Sequence, residues 1–179
     1  MNYFFITGLP RTRSAWSSHY FNTEDSYCLH EFTGRLKDIS EAKGFLKSKG
    51  KLISGSADSA LVYYQDEIEK QFGIDVPIVI VKRDTLEVLD SLHKTFPCGI
   101  LDIKCKEYGD ILIDGEILLN NMAERFTNVM TIPFNMLSDE ATMRDVHRHI
   151  GIPFDKERFE YFDLMNISII PNKWINQKK

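Results

Sequence analysis

Three clusters in the sequence bring together residue types that hold anions or move protons. The first is Gly8-Leu9-Pro10-Arg11-Thr12-Arg13-Ser14-Ala15-Trp16, where two guanidiniums and two hydroxyls follow directly on the apolar run Tyr3 to Ile6. The second is Arg83 and Ser91, set behind the β-branched run Pro77 to Val81. The third is the pair His30-Glu31, at the end of the short run Ser26 to Leu29. The first two suit a phosphate or sulfate. A helix beginning near Arg13 would turn its unpaired N–H groups and the positive end of its dipole towards such an ion, beside charges that never leave Arg. The third pair sets two titratable groups side by side. Plain alternatives exist for each: solvated arginines in an ordinary turn, Arg83 paired to Asp84 or a neighbouring acid, and two surface loop residues.

The elements that must position these residues follow from the pattern of apolar residues and breakers. Tyr3 to Ile6 reads as a buried strand, Gly8 and Pro10 as the turn, and Arg13 to about Phe21 as a helix with Trp16 and Tyr20 one turn apart. Ser26 to Leu29 reads as a second strand that delivers His30 and Glu31 to its carboxyl end, where ligands gather in parallel α/β sheets. Glu41 to Ser48 is a weak helix, and Lys51 to Ser54 a third strand. Gly55-Ser56-Ala57-Asp58 is expected as a turn into a helix from Ser59 to Phe72, with Asp58 as its cap. Pro77 to Val81 should be a central strand, followed by a helix from Leu86 to Lys94 capped by Asp84 or Thr85. On that helix Ser91 lies about two turns along, on roughly the face that Arg83 precedes.

Pro97 to Asp114 carries Cys98-Gly99, Tyr108-Gly109 and Asp114-Gly115 as breakers, so it is expected to be an irregular lid or binding loop. A helix from Glu116 to Phe126, a fifth strand from Asn128 to Ile132 and a helix from about Ser138 to Ile150 come next. A final helix follows to about Met165, capped by Asp155. His147 and His149 lie two apart on a helix and so face different ways, which argues against a shared metal. Five strands alternating with helices predict a single α/β domain over 1–179. Its sheet is mostly parallel and covered on both faces as a three-layer sandwich.

Bulk composition limits the function classes. With 43% hydrophobic and 12% aromatic residues the chain can pack a core. Its 22 basic and 26 acidic residues give a net charge of -4, so no global positive field draws it to nucleic acid or anionic lipid, and any anion must be held by local charge. Cys28, Cys98 and Cys105 are odd in number and lack metal-site spacing. Reduced thiols, the absence of an apolar run long enough to cross a bilayer and a strand that begins almost at once predict a soluble, cytoplasmic protein.

Two anion-binding corners, each behind a strand, resemble the sulfotransferases that use 3′-phosphoadenosine 5′-phosphosulfate (PAPS). Pro10 to Trp16 is similar to the family's P-[KR]-S-G-T-T-W motif, and Arg83-Asp84-Thr85 through Ser91 is similar in spacing to its R-D-P-x-x-x-x-x-S motif. The stretch Val129 to Phe154, with its PFNML and IGIPF segments, resembles the family's closing strand, helix and turn. The resemblance touches most of the chain and implies a P-loop NTPase-like fold. It further implies that Pro10, Arg11, Thr12, Arg13, Ser14 and Ala15 hold the 5′-phosphosulfate, with Arg11 catalytic. Trp16 would then lie near the adenine, and Arg83 and Ser91 would bind the 3′-phosphate. Glu31, or second His30, would be the base for a hydroxyl or amine on a small-molecule or glycan acceptor, with PAPS as co-substrate and no metal. Arg13 stands where the motif has Gly, a replacement that strains the loop if this position needs positive φ. Ala15 replaces a hydroxyl and Thr85 the usual Pro, and no Arg-Lys-Gly loop is evident near the C-terminus, where Lys173 stands. Two other readings are a P-loop kinase, which needs G-x-x-x-x-G-K-[ST] where this chain has Arg13-Ser14, and a non-catalytic protein that binds an anionic nucleotide.

Overall fold

The computed structural model describes residues 2–95 and 105–164. Five strands, β1 (Asn2–Gly8), β2 (Ser26–His30), β3 (Ile53–Ala57), β4 (Ile78–Lys82) and β5 (Val129–Pro133), form one sheet in the order β2-β3-β1-β4-β5. All four pairings are parallel, which sharpens the expected mostly parallel sheet. Strand β1 sits in the middle, with Phe4 opposite Gly55 on one side and Ile6 opposite Val79 on the other. Every strand therefore ends at the same edge, and β1 and β4, which carry the two arginine clusters, are neighbours there.

Alternation along the strands builds two cores. Phe5, Leu29, Ile78 and Ile80 face one layer, made by α2 (Phe32–Arg35), α3 (Ala42–Lys47), α4 (Gln65–Phe72), α5 (Thr85–Thr95) and α6 (Cys105–Arg125). Phe4, Ile6, Val79 and Val81 face the other, made by α1 (Ser14–Tyr20), α7 (Glu140–Ile150) and α8 (Lys156–Leu164). A strand buried on both faces has no polar side to show, which is why Pro77 to Val81 reads as continuous apolar sequence.

Several boundaries differ from the sequence expectation. Strand β3 covers Ile53–Ala57 rather than Lys51 to Ser54, so the small residues expected as a turn lie inside the sheet, all buried. The segment from Ser59 splits into a 3-10 turn, Ser59–Tyr64, and α4. The irregular region is helical from Cys105, and α6 passes through Gly109 and Gly115 without breaking. Mid-helix glycine costs about 1 kcal/mol relative to Ala, less than burial of Tyr108, Leu112, Leu119 and Met122 on one face returns. Residues 97–104, including Cys98, and the tail with Lys173 lie outside the described residues. Cys28 is buried in β2, where desolvation raises its thiol pKa.

Candidate functional site

The loop between β1 and α1 begins with Gly8, whose α-carbon packs so close to β4 that a β-carbon would fall 2.4 Å from the Val81 carbonyl oxygen. Only glycine lets the chain leave the sheet here. Thr12 is buried and its hydroxyl donates to the Leu9 carbonyl at 2.7 Å, closing the turn from inside. Arg11 and Arg13 both take left-handed backbone angles, φ 69 and 63. The position where Arg13 replaces the motif's Gly does need positive φ, a conformation that is uncommon for a bulky residue.

The two arginine clusters meet. Arg11 Nε donates to Ser91 Oγ at 3.2 Å, and Arg83 Nη1 donates to the Arg11 carbonyl at 3.0 Å. Side chains expected on two separate corners thus share one patch above β1 and β4. Burial lowers the pKa of Arg11, and the neighbouring Arg83 lowers it further; burial does the same to Arg13, where Asp163 acts in the opposite direction. Arg83 also pairs with Glu87 at 3.3 Å, one turn into α5. Asp84 caps α5 by accepting from the N–H groups of Leu86 and Glu87, so the neighbouring acid that Arg83 meets is Glu87 and not Asp84.

His30 and Glu31 part company at the end of β2. His30 is half-buried and its Nε2 lies 3.2 Å from Ser14 Oγ, at the first residue of α1. Burial lowers the pKa of this ring, an effect that Glu31 and Asp58 partly oppose. Glu31 is exposed with φ 53. Asp58, expected only as a cap, accepts from Ala60 N–H and takes both the N–H and hydroxyl of Thr33, tying β3 to α2.

The remaining motif residues are placed as follows. Pro10 and Ala15 are half-buried, and the Ala15 carbonyl accepts from the Ser18 hydroxyl. Trp16 is buried, stacked on Tyr20 with ring centroids 4.8 Å apart, and its indole N–H donates to the Phe162 carbonyl. Its ring belongs to the packing between α1 and α8. Phe134, the first residue after β5, lies under two guanidiniums: Arg83 is 4.3 Å and Arg13 5.1 Å from its ring centre. The sequence shows PFNML as a segment but not the role of its ring, because a cation over an aromatic face leaves no spacing signal, and Arg83 and Arg13 lie 51 and 121 positions from Phe134. Beside the loop, Leu9, Pro10, Ala60, Val62 and Ile111 line an apolar cavity of about 90 Å³.

No protein-family model and no curated protein sequence matches the chain. Solved structures do. The sulfotransferase domain from the curacin biosynthetic pathway superposes with a TM-score of 0.63 at 10% identity, covering 88% of this chain and 76% of that one. The fold is that of the sulfotransferases. Mouse sulfotransferase SULT7A1, solved in complex with PAP, gives a TM-score of 0.64 at 12% identity over 93% of this chain and 64% of that chain. The sulfotransferase-like sheet therefore persists here with little of either neighbour's sequence. Among the described residues no helix is long and apolar enough to cross a membrane, and no group of three His, Cys, Asp or Glu is placed to hold a metal.

Proposed function

We propose that this chain is a sulfotransferase that takes its sulfuryl group from PAPS and passes it to a hydroxyl or amine. The observation that carries the reading is the meeting of Arg11, Arg83 and Ser91 over the ends of two adjacent parallel strands, from sequence positions 72 and 80 apart. A lone anion site needs cations from one loop; a nucleotide with phosphates at both its 3′ and 5′ positions calls for cations from two loops side by side, as Arg11 after β1 and Arg83 after β4 are. The PAP complex of a neighbour with the same fold supports the choice of nucleotide.

In this reading the acceptor oxygen or nitrogen attacks sulfur in line with the departing phosphate. One bond to sulfur forms as the other breaks, and the acceptor proton passes to a base. Arg11, cationic throughout, offsets the charge that grows on the leaving phosphate. Ser14 and Arg13, on the same loop, would flank that group. His30 is the better-placed base, since burial favours its neutral, proton-accepting form and Ser14 holds its ring at the loop. Glu31, one residue on, is left to solvent. The acceptor would lie over the loop, where Leu9 and Pro10 already form an apolar wall.

Titration calorimetry with adenosine 3′,5′-bisphosphate and with ATP tests the nucleotide. Micromolar binding of the bisphosphate, with ATP at least about tenfold weaker, is expected; preference for ATP sinks the reading. Transfer of labelled sulfuryl groups to a panel of phenols, alcohols and amines then tests the reaction, with Arg11→Ala expected to abolish turnover while the protein stays folded. Bisphosphate binding without transfer to any acceptor would mark a nucleotide-binding protein instead.

A further inference from the structure

The Arg11-to-Ser14 loop holds two large side chains in the left-handed region, at Arg11 and Arg13, where L-residues other than Asn and Asp are uncommon. Something outside the loop must hold them there. For Arg11 that partner is Arg83, which donates to the Arg11 carbonyl. Arg83 in turn lies 4.3 Å over the ring of Phe134, and Arg13 lies 5.1 Å over the same ring. One aromatic side chain therefore touches both cations that frame the loop. Phe134 is itself fixed, since it opens a 3-10 turn, Phe134–Ser138, that Leu137 pins into the core.

The electrostatics favour such a ring. Three guanidiniums gather here; Asp163 acts on Arg13, and the carboxylate paired with Arg83, Glu87, is well exposed, so the ring adds to what these carboxylates supply. The negative face of a benzene ring attracts a cation within about 6 Å and does so more strongly where water is partly excluded. An aliphatic side chain of similar volume fills the space and gives no such attraction. We propose that Phe134 is a positioning residue: its ring holds Arg13 and Arg83 together and, through Arg83, fixes the Arg11 carbonyl, so that the anion loop is set before any ligand arrives. The cost of gathering like charges is then met within the fold, and less ordering remains for binding. The functional half of this inference rests on the reading of the loop as a phosphosulfate site; the arginine geometry does not.

Nε–H proton and nitrogen resonances of the arginines, assigned with single Arg→Lys variants, report the geometry without any ligand. Arg13 and Arg83 signals shifted upfield by the ring are expected in the wild type and in Phe134→Tyr, and unshifted ones in Phe134→Leu. Replacing Phe134 by pentafluorophenylalanine keeps the shape and removes the negative face, so it separates electrostatics from packing should Phe134→Leu fail to fold. Calorimetry with adenosine 3′,5′-bisphosphate is expected to show about tenfold weaker binding for the Leu and fluorinated proteins, and a change under about twofold for Tyr. Unshifted wild-type signals, or a fluorinated protein that keeps wild-type shifts and affinity, would overturn the proposal. A wild type that ignores the bisphosphate refutes the PAPS reading instead, and the resonances alone then decide the role of Phe134.

Discussion

At the scale of single residues, His30 joins three levels of the molecule. The end of β2 places it, α1 supplies Ser14 as its partner at 3.2 Å, and burial depresses its pKa below the usual value near 6.5. A depressed pKa has a definite sign for a base: the neutral ring persists to lower pH than free imidazole, and it is lost as pH falls through the depressed value. Turnover should therefore persist to lower pH than a free imidazole would allow and decline as pH falls through the depressed value. His30→Gln is expected to cost about 10²-fold or more in kcat and to remove that acid limb, whereas Glu31→Gln stays within about twofold. Steady-state rates across pH 4.5 to 8 check this, and a slow Glu31→Gln with a normal His30→Gln would reverse the assignment. Sequence placed both residues at a strand end, and the family resemblance put Glu31 first; the order is reversed here because it depends on which residue the next element covers, and α1 covers His30.

The elements show where reading the chain succeeds and where it fails. The arginine loop and the β4-to-α5 junction were legible because they combine a β-branched run, a turn and charged residues in a fixed order. Strand β3 was displaced because Gly55, Ser56 and Ala57 resemble a turn when read locally, although they are chosen for closeness in the sheet. Gly55 lies opposite Phe4, and a β-carbon there would fall 2.2 Å from the Phe4 carbonyl oxygen and 2.7 Å from its ring. α6 was misread for a related reason: Gly109 and Gly115 are breakers only where no buried face holds the helix. Gly55→Ala forces backbone apart in the middle of the sheet, so it is expected to cost about 3 kcal/mol. That lowers Tm by roughly 6–12 °C in a chain of this length. A thermal melt within 2 °C of the wild type would show that the strands can separate locally at little cost. Gly44, which meets nothing within 4 Å on the surface of α3, is the control, and Gly44→Ala should be neutral or stabilising.

For the molecule as a whole, acid should loosen the fold from the core that carries α1, α7 and α8. Arg158 of α8 donates to the carbonyls of His19, Tyr20 and Asn22, fastening α8 to the end of α1. Beneath that junction His147 is buried, with Nδ1 3.1 and 3.0 Å from the Ile152 and Pro153 carbonyls and Nε2 3.0 Å from the Tyr20 hydroxyl. Two carbonyls facing Nδ1 fix the proton there, so neutral Nε2 accepts from Tyr20, whose own pKa is raised by burial. Desolvation lowers the pKa of His147, and the two carbonyls only partly offset it. A histidine depressed in the folded state binds its second proton more readily once unfolded. Between the depressed value and about 6.5 the unfolded chain therefore holds more protons, and stability falls as pH falls through that window. The slope approaches ~1.4 kcal/mol per pH unit for one such group. Urea melts at pH 8, 7, 6 and 5 should show a plateau above about pH 7 and a decline below it. His147→Gln, neutral at every pH, should start lower and flatten most of that decline. If His147→Gln keeps the wild-type slope, the acid sensitivity belongs to the site end of the sheet, and His30→Gln should flatten it instead.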